Sequence, residues 1–399
     1  MSVATKGIFI VAAKRTPFGK MGGMFVNKSM TDLSVIASNS ALKEASLTPD
    51  KIDHVIFGNV MSLTSPDGIY LPRHVLLKCG IPLEKPALGV NRLCGSGFQS
   101  VVNGAQSIAA GESRIVLAGG AENMSQTPFV VRNIRFGTTL GQKYEFEDAL
   151  WVGLADTYCG LPMGMTAEKL GAKYGITREE VDEFALRSQQ LWKNANDNGH
   201  FKAEMAPVSM KIKKQDVEVA VDEHPRPETK MADLTKLKSI FQKDGLVTAG
   251  SASGVCDGAG AVILASEDAV KSEGLKPLAR LVGYSTVGVD PSVMGIGPAP
   301  AIRNLLKLTG KTLNDMEIIE INEAFGAQTL ACVKDLGLDM KKLNVNGGAI
   351  ALGHPLGASG SRITAHIVHE LRRRNAGKLA IGSACIGGGQ GIAIMVEAV

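Results

Sequence analysis

The 399-residue chain has little of what would mark several function classes. Its six cysteines, Cys79, Cys94, Cys159, Cys256, Cys332 and Cys385, are scattered, and no two stand in a C-x-x-C pair. Neither a zinc site nor a disulfide framework is therefore expected, and reduced thiols in a reducing compartment are. Aromatic residues make up 5% of the chain, too few for a stacking surface on nucleic acid. The formal net charge of +4 is too small to draw a polyanionic polymer, yet it does not oppose a phosphorylated small molecule. No apolar run reaches the roughly eighteen residues of a membrane span, so none is expected. His366 and His369 lie one helical turn apart but no third ligand stands at a matching spacing, so no metal site is expected.

What the chain has in abundance is glycine, 46 residues, which suits tight turns between strands and helices. One such turn organises the rest: Asn91-Arg92-Leu93-Cys94-Gly95-Ser96-Gly97. Ala87 to Val90 read as the end of a strand, and Phe98, Val101, Val102, Ala105, Ile108 and Ala109 recur at helical spacing. A helix is thus predicted just past the sulfur, where its free N–H groups and positive dipole end favour a thiolate. A buried cysteine at a glycine turn would read the same until partners are found. Near the C-terminus, His354 lies in the glycine-rich stretch Asn346 to Gly360, Cys385 opens Cys385-Ile-Gly-Gly-Gly-Gln-Gly391, and Glu320 to Phe325 ends a strand at the amide of Asn322.

Cys94 in N-x-x-C-x-S-G, Asn322 in N-E-A-F, His354 in G-H-P-x-G-x-S-G and Cys385 in C-x-G-G-G-x-G together resemble the thiolase family. The resemblance runs from about residue 7 to the end of the chain. It is strongest, through Asn91 to Ser100 and Asp222-Glu-His-Pro-Arg226-Pro, to the branch that cleaves 3-ketoacyl-CoA in mitochondrial β-oxidation.

Length alone suggests two or three domains. Ile8 to Ala12 reads as the first strand. A helix carried by Leu33, Ile36, Ala37, Ala41 and Ala45 follows, capped near Thr31 or Asp32, and then strands over Asp53 to Val60 and Arg114 to Gly119. Strands separated by helices argue for a parallel, buried sheet. From about Asn123 to Asp244 the chain is richer in charge, methionine and proline, with one amphipathic helix from Glu179 to Ala195, and reads as an inserted lobe. The strand Gly258 to Ala265 resumes the earlier style and Pro277 begins a second half. That half repeats the first: Ile318 to Asn322 echoes Val55 to Asn59, the His354 turn echoes the Cys94 turn, Leu379 to Cys385 echoes Ile115 to Gly119, and Ile392 to Val396 echoes Ala261 to Ala265. The expected architecture is α/β, with residues 1–122 and 246–276 as an N-terminal half, 123–245 as an inserted loop domain for CoA binding, and 277–399 as a C-terminal half. The resemblance implies the thiolase fold, two similar halves in αβαβα layers.

Cleavage of a 3-ketoacyl-CoA needs a nucleophile, a site for a tetrahedral oxyanion, and a place for charge on the departing enolate. Cys94 is assigned as nucleophile, His354 as its base and Cys385 as the acid/base at the enolate carbon. The backbone N–H groups of Cys94 and Gly387 are candidates for the oxyanion. The resemblance implies that His354, with Asn322 acting through a water, holds the enolate oxygen. It further points to Arg226 and Thr229 for the nucleotide end of CoA and to Ser253 for the pantetheine arm. No cofactor is implied, since CoA is a substrate. The implied partners are 3-ketoacyl-CoA, acetyl-CoA, CoA and further copies of the chain in a homotetramer, a dimer of dimers. The sequence leaves three alternatives: an acetoacetyl-CoA-forming thiolase, a decarboxylating ketoacyl synthase, which would not need Cys385, and a non-catalytic CoA or lipid carrier. Lys6, Lys14, Arg15, Lys20 and Lys28 precede the first acidic residue, Asp32, a bias shared by mitochondrial targeting segments. Import to the mitochondrial matrix with the N-terminus retained is expected, with the cytoplasm as the alternative.

Overall fold

The computed structural model describes residues 2–212, 214–375 and 378–399. Its main sheet has two parts of similar order. In one the strands run Ala87–Val90, His54–Gly58, Ile115–Asn123, Cys256–Ser266, Ile8–Arg15; in the other, Met316–Ile321, Leu379–Ile386, Gln390–Ala398, Ala279–Gly288, with Ser2–Ala4 on the far edge. The parts meet where Ile10 pairs with Ala279 and Phe9 with Arg280.

A wholly parallel sheet was too simple an expectation. His54–Gly58 is parallel to both its neighbours, but Cys256–Ser266 is antiparallel to the strands on either side. That strand follows the long lobe rather than a single crossover helix, so nothing obliges it to enter from the same end. In the second part, Gln390–Ala398 returns directly from Leu379–Ile386 through the Gly387-Gly388-Gly389 turn, and a tight turn can only join antiparallel strands. The strands still read as continuous apolar runs because both faces are covered.

Helix Ser96–Ala109 and helix Leu356–Arg373 pack on each other between the two parts, while Met30–Ala45 covers one outer face and Pro298–Thr309 the other. This is the αβαβα layering of the thiolase fold. The two inner helices touch at glycines: a Cβ on Gly360 would stand 2.1 Å from the Phe98 nitrogen, and one on Gly97 would stand 2.6 Å from the Ser361 nitrogen. The duplication is visible in register. The sequence shift that lays Asn59 on Asn322 also lays Asn91 on His354, Cys94 on Gly357, Ser96-Gly97 on Ser359-Gly360 and Glu122 on Cys385.

Helix ends follow their caps. Met30–Ala45 starts a little before the expected Thr31 or Asp32 because the Ser29 hydroxyl takes the Asp32 N–H at 3.0 Å. The lobe helix spans Arg178–Asp197, opened by a capping box between Thr177 and Glu180. A buried charge cluster fastens this lobe to the core. Arg15 reaches Glu204 at 2.6 Å and Asp222 at 2.7 Å, and Glu204 also meets His366 Nδ1 at 2.7 Å.

Candidate active site

The Cys94 turn shows why its motif needs those residues. Leu93 takes φ 45°, a left-handed conformation that costs a branched residue of order 1–3 kcal/mol. Two side chains hold it there. Asn91 Oδ1 accepts the Leu93 N–H at 2.9 Å, while the Ser96 hydroxyl accepts the Arg92 N–H at 2.9 Å and donates to the Leu93 carbonyl at 2.7 Å. The strand Ala87–Val90 ends before the turn and the helix begins at Ser96, so the sulfur sits just ahead of the helix, as its spacing predicted.

The helix end does not make Cys94 a ready thiolate. Burial dominates and pushes its thiol up to about 11, with Glu122 adding to the rise, while the Gly387 N–H and the residue's own amide draw it back. Burial pushes Cys79 and Cys332 further, to about 12. Cys385 is fully buried and held well above its ordinary value by burial and by Cys94 nearby. A proton must therefore be taken from Cys94 when it reacts.

His354 stands beyond a short helix, Ala349–Leu352, and just before the inner helix Leu356–Arg373. Its N–H is held by the Gly254 carbonyl at 2.9 Å. The Ser359 hydroxyl donates to the Pro355 carbonyl at 3.1 Å and lies 2.5 Å from His354 Nδ1. This pattern assigns the imidazole proton to Nδ1 and leaves Nε2 as acceptor. Burial, with Arg362 behind it, pushes His354 down to about 3, so the resting ring is neutral and its Nε2 lone pair is unprotonated. Asn322 Nδ2 lies 3.3 Å from Nε2, and its Oδ1 is buried with no protein partner among the described residues. An amide oxygen left open in this place suits a water or a substrate group.

Cys94 and His354 lie on the wall of one cavity of about 310 Å³, together with Ser253. The rest of the wall is mostly apolar, including Met124, Trp151, Met163, Phe241 and Leu356. Cys385 sits behind it, packed with Met163, Met294, Ala324 and Phe325, all four of which face the cavity. Gly387 follows on the same hairpin, where a Cβ would stand 3.3 Å from the Met163 sulfur. The four motifs thus converge from both halves. Arg226 and Thr229 lie apart from the cavity wall. Thr229 caps the Arg226 carbonyl at 2.7 Å, and the Arg226 side chain is exposed.

Some participants carried no usable sequence signal. Trp151, Ile240 and Phe241 line the cavity from the lobe, where no periodicity marks them. His224 could have been found: it stands within the Asp222 to Arg226 stretch, its ring occupies the space a side chain on Gly254 would need, and its Nδ1 meets the Ala351 carbonyl at 2.8 Å. Glu323, the second letter of N-E-A-F, is a buried clamp that takes the Ser188 hydroxyl at 2.6 Å, Asn344 Nδ2 at 2.8 Å and the Ile350 N–H at 3.1 Å. It fastens the lobe helix and the short helix before His354.

Residues 8–268 match the thiolase N-terminal domain and residues 275–398 the thiolase C-terminal domain. The human mitochondrial 3-ketoacyl-CoA thiolase is 60% identical over 98% of each chain, and an acetyl-CoA acetyltransferase of Syntrophomonas wolfei is 44% identical over 99% of this chain and 100% of its own. The crystal structure of the human mitochondrial 3-ketoacyl-CoA thiolase in complex with CoA superposes with a TM-score of 0.96 at 59% identity, covering 99% of this chain and 98% of that one. With both domain matches, the shared fold and these relatives, the chain belongs to the thiolase family.

Proposed function

We propose that the protein cleaves 3-ketoacyl-CoA with CoA, giving acetyl-CoA and a shortened acyl-CoA, as the thiolase of fatty-acid β-oxidation. The observation that carries this reading is the meeting of Cys94, Asn322, His354 and Cys385 around one apolar cavity. The second thiol is what a decarboxylating synthase would not need. The 60% identity to a mitochondrial 3-ketoacyl-CoA thiolase, against 44% to an acetyl-CoA acetyltransferase, favours cleavage over acetoacetyl-CoA synthesis.

The steps follow from the site. His354 Nε2 takes the Cys94 proton, and the sulfur attacks the 3-keto carbon. The carbon–carbon bond then breaks, its electron pair passing to the enolate of acetyl-CoA, which Cys385 protonates at carbon. A water held by Asn322 Oδ1 through one hydrogen offers its other to the enolate oxygen, beside His354. The proton held by His354 passes to the Cys385 thiolate, so both groups are restored before the second half-reaction. His354 then takes the thiol proton of CoA, the CoA sulfur attacks the acyl-Cys94 thioester, and the N–H groups of Cys94 and Gly387 receive the oxyanion. Displacement of the acyl group frees the Cys94 sulfur, which recovers a proton from His354. Donors fixed in an apolar site are worth more than in water.

Exposed Arg226, with Thr229, suits the phosphate end of CoA, and Ser253 the pantetheine arm. A homotetramer is supported by large apolar side chains left open on one segment, among them Phe129, Phe136, Leu140, Tyr144, Phe146 and Tyr158. The protein works in mitochondria. Retention of its N-terminus agrees with Ile8–Arg15 being an inner strand of the sheet, and a mature protein beginning beyond Ile8 would contradict it. The test of function is acetyl-CoA release from 3-ketoacyl-CoAs of several lengths in the presence of CoA. Turnover of acetoacetyl-CoA alone would shift the reading to the biosynthetic enzyme, and no release at any length would refute it.

A further inference from the structure

Glu122 stands where the duplication would place a second Cys385. The register that matches Asn59 with Asn322 and Cys94 with Gly357 puts this carboxylate in the first half at the position of the second thiol in the other. No cavity-wall residue is made of it; Glu122 is fully buried. All of its acceptor capacity is used. Oε1 takes Asn59 Nδ2 at 2.8 Å and the Met61 N–H at 2.9 Å, and Oε2 takes the Val60 N–H at 3.1 Å and the Gly357 N–H at 2.9 Å.

Three of those donors belong to the loop after strand His54–Gly58, and the fourth to the first turn of the inner helix, three residues past His354. Pro355 at the head of that helix offers no side-chain cap, so Glu122 from the other half serves instead, at the end where the dipole favours a negative charge. The contact is close. A Cβ on Gly120 would stand 1.9 Å from the Gly357 carbonyl oxygen, and one on Gly357 would stand 2.5 Å from the Ala121 oxygen. Val60, Met61, Cys94 and Leu356 also share one apolar cluster. One carboxylate therefore fixes the wall beside Cys94 and the turn that carries His354.

We propose that Glu122 is a positioning residue for the cleavage reaction: in the duplicated place where the other half keeps a thiol, its carboxylate locks the His354 turn of one half against the Cys94 turn of the other. The proposal rests on the thiolase reading above. Burial pushes the Glu122 carboxyl up to about 7 against the four N–H donors that draw it down, so above that pH the cost of this lock is a negative charge near the nucleophile, which raises the Cys94 thiol. Positioning and charge thus pull opposite observables, which makes the role separable from plain stability.

The experiment compares wild type, Glu122→Gln and Glu122→Asp in two assays, steady-state cleavage and the pH profile of Cys94 alkylation by iodoacetamide. The titratable groups around Cys94 are Glu122, Cys385 and His354. Glu122→Gln sets an amide N–H₂ against two N–H donors and removes the charge. Its kcat is expected to fall about 10²-fold, the scale of a 1 Å misplacement, while the alkylation profile moves to lower pH. Glu122→Asp keeps the charge and loses reach, so kcat should fall with the profile unmoved. A wild-type kcat in Glu122→Gln overturns the proposal. So does a joint fall of kcat and alkylation, which marks a loosened core, and so does failure of both variants to fold. Wild-type protein that cleaves no 3-ketoacyl-CoA would instead fail the thiolase reading, while its alkylation profile against Glu122→Gln would still report the hold on the Cys94 side.

Discussion

Replacing Arg15 by methionine should cost the protein about 3 kcal/mol and loosen the lobe. The guanidinium is fully buried, between the Glu204 and Asp222 carboxylates and within 5.4 Å of the Phe18 and Phe201 ring centres. Methionine keeps the apolar stem and leaves two buried carboxylates short of a cation. Removing one partner of a buried pair costs about 3–5 kcal/mol. The lower end applies here because Asp222 keeps the Phe18 N–H at 2.8 Å and Trp192 Nε1 at 3.3 Å, and Glu204 keeps His366. About 3 kcal/mol is roughly a hundredfold in the folded-to-unfolded ratio. Urea unfolding followed by tryptophan fluorescence reads it, since Trp192 is buried in the cluster while Trp151 is exposed. Arg280→Met is the control: its pair with Glu397 is about one-third exposed and should be worth under about 1 kcal/mol. Equal losses in the two variants would refute the reasoning. The pH dependence has a definite sign. Glu204 is held down at about 2 from 4.5 despite its burial, because His366 and Arg15 oppose the desolvation, so its contribution is present above about 4.5 and is lost as pH falls toward 2. His366 is raised above 6.5 by Glu204, against burial that lowers it, so its contribution is full below about 6.5 and fades as pH rises through the raised value. In Arg15→Met the acid loss should begin at higher pH. Because Asp222 opens the stretch that ends in Arg226, the KM for CoA should rise as well.

Further outcomes follow from the site. Cys385→Ala should abolish cleavage and condensation yet leave acyl exchange between Cys94 and CoA, whereas Cys94→Ala should lose all three; loss of exchange in a folded Cys385→Ala would remove its acid/base role. Mass spectrometry after incubation with a 3-ketoacyl-CoA should find the acyl group on Cys94, and a label on Cys256 or Cys332 would contradict the assignment. Alkylation of Cys94 in the unliganded protein should climb about tenfold per pH unit between roughly pH 7 and 9, since burial holds the thiol at about 11; a plateau there would show that the helix end wins after all. Asn322→Ala should lower kcat by about 10²–10³ with circular dichroism unchanged, and near-wild-type turnover would free Asn322 from the enolate.

The legible parts of the sequence were those ruled by short-range physics. Glycine turns, helix caps and apolar periodicity gave the Cys94 unit, the lobe helix and the repeat, because each depends on neighbours a few residues apart. The direction of strand Cys256–Ser266 was not legible, since it depends on how a long lobe returns rather than on any local pattern. The electrostatics of Cys94 misled for a related reason: the helix end is written beside the cysteine, but the residues that bury it come from the other half and the lobe. Trp151 and Phe241 had no pattern to betray them, and Glu122 lay beyond the expected strand end at Gly119, whereas the strand runs on to Asn123.

The inner helix Leu356–Arg373 also bears on how the chain assembles. Every residue from Leu356 to Leu371 is buried, yet the helix carries Arg362, His366, His369 and Glu370. Glu370 pairs with Arg373 and Arg374 at the end of its own helix, whereas the other three find their partners on different elements: Arg362 meets Glu320, His366 meets Glu204 and His369 meets the Ala13 carbonyl. A docking of the halves displaced by one helical turn would strand these groups in the interior, at several kcal/mol for each uncompensated charge. The helix thereby acts as a key whose charged teeth let the lock close in one alignment, so that misassembled halves come apart again instead of being trapped.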